Sequence, residues 1–71
     1  MIDDKIKKIG YMVKTTRKAQ GLTQQQLAAT TGVGVRFIRE LEQGKQSCHM
    51  GKALAVLSML GLDIMIDGEV L

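Results

Sequence analysis

The stretch TQQQLAATTGVGVRFIRELEQG, residues 23–44, carries the strongest local pattern in this chain. Thr23 and Gln26 form a T-x-x-Q capping box, which predicts a helix start because the two residues satisfy backbone N–H groups left free there. Gly32 predicts a sharp turn, since glycine adopts positive φ without steric cost. Gly44 is placed to end a second helix. The stretch therefore predicts two short helices joined by a tight glycine turn.

Apolar residues continue on one side of the chain across this turn. The predicted core positions are Leu27, Val33, Ile38 and Leu41. Ala28 lies where a larger side chain would push apart two closely crossing helices. Two helices joined at a steep angle by a short glycine turn form a helix-turn-helix, with Gln24–Thr31 first and Gly34–Gln43 second.

The same positions carry a resemblance to a known family. The matching residues are Gln24, Leu27, Ala28, Gly32, Val33, Ile38, Leu41, Glu42 and Gly44. In this pattern the chain resembles Xre and lambda Cro-type repressors over about residues 9–62. The segment GVGVRFIRELEQG and the later LGLDIMI are similar in particular to HipB-like antitoxins. The resemblance implies an all-α, lambda repressor-like DNA-binding domain of four to five helices with a C-terminal dimerising β-strand.

Length and composition predict one small domain over residues 1–71. A chain of this size buries only about 60% of its unfolded surface, so association with a second copy would help to stabilise it. One cysteine excludes an internal disulfide framework and fits a reducing cytosol. The first residues are charged and no apolar run reaches membrane-spanning length, so we expect a cytoplasmic protein.

Charge is segregated along the chain. All ten lysines and arginines lie between Lys5 and Lys52, a segment with only two acids, Glu40 and Glu42, and hence a net charge of +8. The two ends carry the five remaining acids. This segregation predicts that the middle of the chain binds a polyanion. A solvated charged surface is the alternative interpretation.

Further helices are predicted on both sides of the helix-turn-helix. The first is expected from Asp3 to Gln20, because apolar residues recur on one helical face at Ile2, Ile6, Ile9 and Val13. The last is expected from Met50 to Leu60, with Ser47 or His49 near its cap. Its inner face is predicted to consist of Met50, Ala53, Leu54, Leu57 and Leu60.

The second helix of the motif is expected to read DNA. In repressors of this kind its N-terminal part enters the major groove. Arginine suits the two acceptors of guanine, and valine can contact a thymine methyl group. The predicted base-reading residues are Val35, Arg36 and Arg39. For Arg39, a phosphate contact or a pairing with Glu40 or Glu42 stays open.

Phosphate contacts are predicted beside that helix. Free N–H groups at a helix N-terminus attract anions, and the resemblance implies backbone contacts from the first glutamine of the motif and from the loop after Gly44. The predicted DNA-backbone residues are Thr23, Gln24, Gly34, Gln43 and Lys45. The resemblance also implies a partly buried ion pair between Arg17 and Glu42.

The tail LDIMIDG, residues 62–68, changes character. It alternates apolar and acidic residues at first and is rich in β-branched residues, which predicts a strand at about 62–67. A strand without a partner in its own chain seeks another chain. The simplest partner is the same segment of a second subunit, and the predicted dimerisation residues are Leu62, Ile64 and Ile66. A tail folded over the monomer's own core is the alternative.

Catalysis is not expected. Cys48 and His49 are adjacent, but a nucleophile needs a base and a third group to orient that base, and the chain has only one histidine. A zinc ligand set is also missing from the sequence. We therefore expect no enzyme, no metal and no cofactor.

These observations together predict a sequence-specific transcriptional repressor that binds an inverted-repeat operator in double-stranded DNA as a homodimer. The resemblance further implies the antitoxin of a HipBA-like toxin-antitoxin system, with a HipA-like kinase toxin as partner. A stand-alone phage or plasmid-type repressor and a pure protein-interaction module are the alternatives.

Overall fold

The computed structural model describes residues 2–46 and 49–71. Within these ranges four helices precede one small sheet. Their bounds are α1 Ile2–Ala19, α2 Gln24–Thr31, α3 Val35–Glu42, α4 Met50–Met59, β1 Met65–Ile66 and β2 Glu69–Val70. Ser47, one of the two residues predicted to cap the last helix, and Cys48 lie outside the described residues.

The capping box that predicted the start of α2 is present. The hydroxyl oxygen of Thr23 accepts from the backbone N–H of Gln26 at 3.0 Å. In return, the Gln26 side-chain oxygen accepts from the Thr23 N–H at 2.8 Å. The helix ends at Gly32, which has φ 79° and donates its N–H to the Ala28 carbonyl. The predicted bounds of α2 and the glycine turn are confirmed.

The core is aliphatic and is built from all four helices. Its buried residues are Val13, Leu27, Ala28, Ile38, Leu41, Val56, Leu57 and Leu60. Partly buried apolar residues surround them, including Val33 and Phe37 at the turn side of α3. Because α3 anchors two residues in this core, its orientation relative to the rest of the domain is fixed.

The contact between α1 and α3 runs through Gly10. A Cβ added at Gly10 would lie 2.4 Å from the Leu41 carbonyl oxygen and 2.8 Å from that of Glu42. Glycine therefore permits the backbones to approach. The predicted apolar face of α1 is wrong at Ile9, which is 40% exposed, because Gly10 occupies the contact line instead. The side chain of Ile2 lies outside the description.

The N-terminus of α4 is capped by His49, whose ring Nδ1 accepts from the Lys52 N–H at 3.2 Å. Two residues predicted for its inner face are exposed, Met50 at 75% and Leu54 at 40%. Val56 is fully buried in their place. The buried and half-buried positions of this helix are Ala53, Val56, Leu57 and Leu60. Their spacing shows that the buried face differs from the predicted one.

The tail forms a β-hairpin within the chain. β1 and β2 pair antiparallel, with Met65 opposite Val70 and Ile66 opposite Glu69. The two turn residues, Asp67 and Gly68, have φ 50° and 82°, as a two-residue type I′ turn requires. The expectation that the tail strand has no partner in its own chain is therefore wrong.

The three residues predicted for dimerisation differ in their surroundings. Leu62 and Ile64 pack against the core, as in the alternative of a tail folded over the monomer. Ile66 is 58% exposed. Pairing between two subunits through this tail stays a prediction.

Residues 2–46 and 49–71 contain neither a membrane-spanning helix nor a metal-binding cluster of side chains. None of the helices there is long and apolar enough to cross a membrane. The same residues bring together no cluster of histidine, cysteine and acidic side chains able to hold a metal ion.

Candidate nucleic-acid interface

Helix α3 has one buried and one exposed face. Ile38 is fully buried and Leu41 is 3% exposed, so the helix is held by these two residues. Arg36 and Arg39 lie on the exposed side, and the Arg36 side chain is 83% exposed. Val35, also predicted to read bases, is half-buried against the core and presents less of its surface. The exposed face of α3 is thus dominated by two guanidinium groups.

A carboxylate stands between two of the predicted DNA-binding residues. Glu40 Oε2 accepts from Lys45 Nζ at 2.8 Å and lies 3.5 Å from Arg36 Nε. The hydrogen bond from Lys45 lowers the pKa of the Glu40 carboxyl below its ordinary value. Sequence reasoning did not assign this role to Glu40, although Arg36 and Glu40 have the i,i+4 spacing of a helical ion pair.

The predicted ion pair between Arg17 and Glu42 is present and bidentate. Arg17 Nε donates to Glu42 Oε2 at 2.6 Å and Nη2 donates to Oε1 at 3.0 Å. The two side chains are only 8% and 3% exposed. The hydrogen bond to Glu42 raises the pKa of Arg17. Arg17 Nη1 also donates to the Leu22 carbonyl at 2.8 Å, so the guanidinium joins α1, α3 and the segment before α2.

Gln24 is attached to this ion pair. Its side-chain Nε2 donates to Glu42 Oε1 at 3.1 Å, and the residue is half-buried. The bond joins the first residue of α2 to the last residue of α3. The amide group predicted to contact phosphate is therefore held in a defined position. Sequence reasoning missed this bond because it depends on the angle between two helices.

The other predicted phosphate contacts lie around the ends of α2 and α3. Thr23 caps α2 and Gly34 is the N-cap of α3, where it makes no side-chain cap. Gln43 follows α3 and is exposed, as is Lys45 in the next loop. These residues lie near both ends of the exposed side of α3, which carries Arg36 and Arg39.

Exposed lysines lie along one side of α1, which passes close to the loop after α3. A Cβ added at Gly44 would lie 2.9 Å from Lys7 Cα, so α1 passes directly beside the loop that carries Lys45. Lys14 and Lys18 follow Lys7 at spacings of seven and four residues, which places them on the same side of α1. All three are exposed. The positive charge counted in the sequence is thus partly gathered next to α3.

This arrangement defines a class of protein: a helix-turn-helix domain whose second motif helix is anchored in the core and exposes basic side chains. A helix-turn-helix family model matches residues 13–65, and the chain belongs to this family of regulators. The chain is also 49% identical over 63 residues to an uncharacterized HTH-type transcriptional regulator, y4mF, of Sinorhizobium fredii (strain NBRC 101917 / NGR234). That match covers 86% of this chain and 83% of the relative. The resemblance to Xre-type regulators is confirmed at this level, whereas the closer resemblance to HipB-like antitoxins stays a prediction.

Proposed function

We propose that this protein is a transcriptional repressor that binds double-stranded DNA sequence-specifically through α3. One observation carries the proposal. Burial of Ile38 and Leu41 leaves Arg36 and Arg39 on the exposed face of a helix that cannot rotate without breaking the core. In proteins of this class that face enters the major groove.

Within this proposal the residues have separate tasks. Arg36 reads guanine through its two acceptors, and Arg39 either reads a neighbouring base or contacts phosphate. Val35 offers its remaining exposed surface to a thymine methyl group. The backbone is held by the residues that flank α3, namely Thr23, Gln24, Gly34, Gln43 and Lys45. Phosphate contacts fix the register of the protein on the duplex, and base contacts supply the specificity.

We also propose that two copies bind together on an inverted repeat. A single motif covers one half-site, and the half-sites of such operators are spaced by about one helical turn or a multiple of it. The tail supports this because Met65 and Ile66 are 60% and 58% exposed and belong to a two-stranded sheet with open edges. In this arrangement Ile66 contacts the second subunit, and Leu62 and Ile64 fasten the hairpin to its own domain.

The restraint of a HipA-like kinase toxin is the finer role within this proposal. It is supported by the resemblance of residues 32–44 and of the tail to HipB-like antitoxins. A kinase-like reading frame beside the gene, whose product is retained by the purified protein, is the expected finding. A neighbouring gene of another kind, with no such retention, would favour a stand-alone repressor.

The test of DNA binding begins with selection of a preferred sequence from random duplexes, followed by titration at several salt concentrations. Arg36→Ala should weaken binding to the selected sequence by about 1–3 kcal/mol and binding to a scrambled duplex far less. Lys8→Ala is the matched control, because Lys8 is exposed and lies two residues before Gly10, on the opposite side of α1. Equal losses on both duplexes would make Arg36 a phosphate contact. Binding that does not weaken as salt rises would contradict the DNA-binding function.

A further inference from the structure

A single carboxylate holds two cations to which the proposed function gives different tasks. Glu40 lies within α3, and one of its oxygens, Oε2, is 2.8 Å from Lys45 Nζ and 3.5 Å from Arg36 Nε. Arg36 is assigned to a base and Lys45 to a phosphate. Neither cation is therefore fully available to DNA while Glu40 keeps these contacts.

The contacts of Glu40 can be exchanged for others. The Glu40 side chain is 30% exposed, and the side chains of Arg36 and Lys45 are 83% and 49% exposed. Ion pairs at such exposed positions contribute little to stability and are screened by salt. A phosphate can compete for Lys45, and the paired acceptors of guanine can compete for Arg36 with two parallel hydrogen bonds. The carboxylate is ionised at neutral pH, as glutamate ordinarily is, and the Lys45 hydrogen bond lowers its pKa further.

Operator and non-operator DNA present different hydrogen-bond acceptors to Arg36. An operator that places guanine opposite Arg36 offers a bidentate partner in exchange for the bond to Glu40. A sequence without that guanine offers Arg36 nothing comparable, so Arg36 stays beside the carboxylate. On such a sequence Glu40 neutralises the charge of Arg36. The pair then adds no net attraction for the phosphates, so binding to that sequence is weakened.

We propose that Glu40 is a specificity-determining residue: it restrains Arg36 and Lys45 in the free protein, keeps Arg36 on non-operator DNA, and gives Arg36 up where the groove supplies better acceptors. The proposal rests on the proposed function, since it assumes that α3 faces DNA. Glu40 acts here by suppressing binding to the wrong sequences. Like-charge repulsion of this kind is a recognised source of specificity.

The variant Glu40→Gln tests the proposal, because the amide keeps the shape and helix preference of the side chain and loses its charge. Binding to a scrambled duplex should strengthen roughly threefold to tenfold, whereas operator binding should change less. The number of phosphates neutralised on the scrambled duplex should rise by one, which steepens the slope of log K against log salt by about 0.9. The ratio of operator to scrambled affinity should therefore fall.

Fluorescence anisotropy with labelled operator and scrambled duplexes measures both quantities. The matched control is Asp63→Asn, which likewise turns a carboxylate into an amide, at an exposed position between α4 and β1 and outside α3. Unchanged thermal melting of both variants establishes that the fold is retained. Loss of discrimination in Glu40→Gln and not in Asp63→Asn supports the proposal.

Each of the following results would overturn it. Equal strengthening on both duplexes, or an equal gain in Asp63→Asn, would reduce the effect to net charge. A selective loss of operator binding in Glu40→Gln would make Glu40 a base contact itself. If the wild-type protein binds neither duplex, the proposed function fails and the role of Glu40 fails with it. Normal operator binding by the wild type with an unaltered ratio in Glu40→Gln refutes the role of Glu40 alone.

Discussion

The ion pair between Arg17 and Glu42 gives a prediction whose size follows from its geometry. Both side chains are less than a tenth exposed, and the guanidinium makes two bonds to the carboxylate. Removing one partner leaves the other charge buried without compensation. For such pairs the cost is about 3–5 kcal/mol, and the lower end applies here because the pair lies near the surface of a small domain. We therefore expect Glu42→Leu and Arg17→Met each to cost about 3 kcal/mol.

This loss is large relative to the whole domain. A chain of 71 residues at about 0.05–0.15 kcal/mol per residue has a free energy of unfolding of roughly 4–11 kcal/mol. The double variant, with methionine and leucine at the two positions, removes both charges and should cost less than the sum. Its residual cost should be about 1–2 kcal/mol, because the Leu22 carbonyl loses the Arg17 donor and Gln24 loses its acceptor.

Urea denaturation followed by circular dichroism, on the wild type, both single variants and the double variant, gives the coupling energy of the cycle. Two single losses of about 3 kcal/mol and a double loss of about 1–2 kcal/mol give an expected coupling of about 4–5 kcal/mol. Glu40→Gln is the contrasting control: it breaks an exposed pair and should leave the denaturation midpoint unchanged. Single losses below about 1 kcal/mol, or a double loss equal to their sum, would refute the claim that the pair is desolvated.

Three further outcomes are expected. Gly10→Ala should cost about 1–3 kcal/mol in thermal melting despite the better helix propensity of alanine, because its Cβ would meet backbone atoms. The control is Gly51→Ala, whose Cβ would meet only the His49 ring and which should melt close to the wild type. Equal effects of the two substitutions would contradict the close crossing of α1 and α3. Gly32→Val should lower the free energy of unfolding by about 1–3 kcal/mol, because a β-branched residue is an outlier at positive φ. A loss no larger than that of a surface substitution would mean that the turn has been misinterpreted. Ile66→Asp should produce monomers in sedimentation and reduce operator binding to that of one half-site; a stable dimer with unaltered affinity would place the dimer contact on the helices.

Helix positions were predictable from local chemistry alone. A capping box and a left-handed glycine bracket α2, and its predicted and observed bounds coincide because both devices act within a few residues. The ends of the other described helices differ from prediction by about one residue for the same reason. Such local rules state where a helix begins and ends, and they leave open which side of it is buried.

The faces of α1 and α4 were predicted less well because they depend on what the helices pack against. Counting apolar residues favoured Ile9 and Leu54, whereas the crossing with α3 selected Gly10 for α1 and the core selected Val56 for α4. A glycine within an apolar helical pattern was the available signal for a close helix contact.

The hairpin was missed for a different reason. Its second strand, Glu69–Val70, has two residues, too few for alternation to be recognised. The dipeptide Asp67-Gly68 is nevertheless a strong signal for a two-residue turn, and it would have supplied the missing partner strand. The predicted DNA-contacting residues lie in and beside α3, and their contacts with DNA stay predictions. The bonds that Glu40 and Gln24 make could be found only from their three-dimensional positions.

The bond from Gln24 to Glu42 has a consequence for how strain is shared in a complex. The glycine turn connects the end of α2 to the start of α3, and this bond connects their two outer ends, so the pair of helices forms a closed triangle. Two helices joined only at the turn can change their angle to follow an uneven groove, whereas the added bond resists that change. More of the adjustment on binding is then expected from the duplex. Base steps that bend and unstack easily would then be favoured between the half-sites, at positions that no side chain of the protein touches.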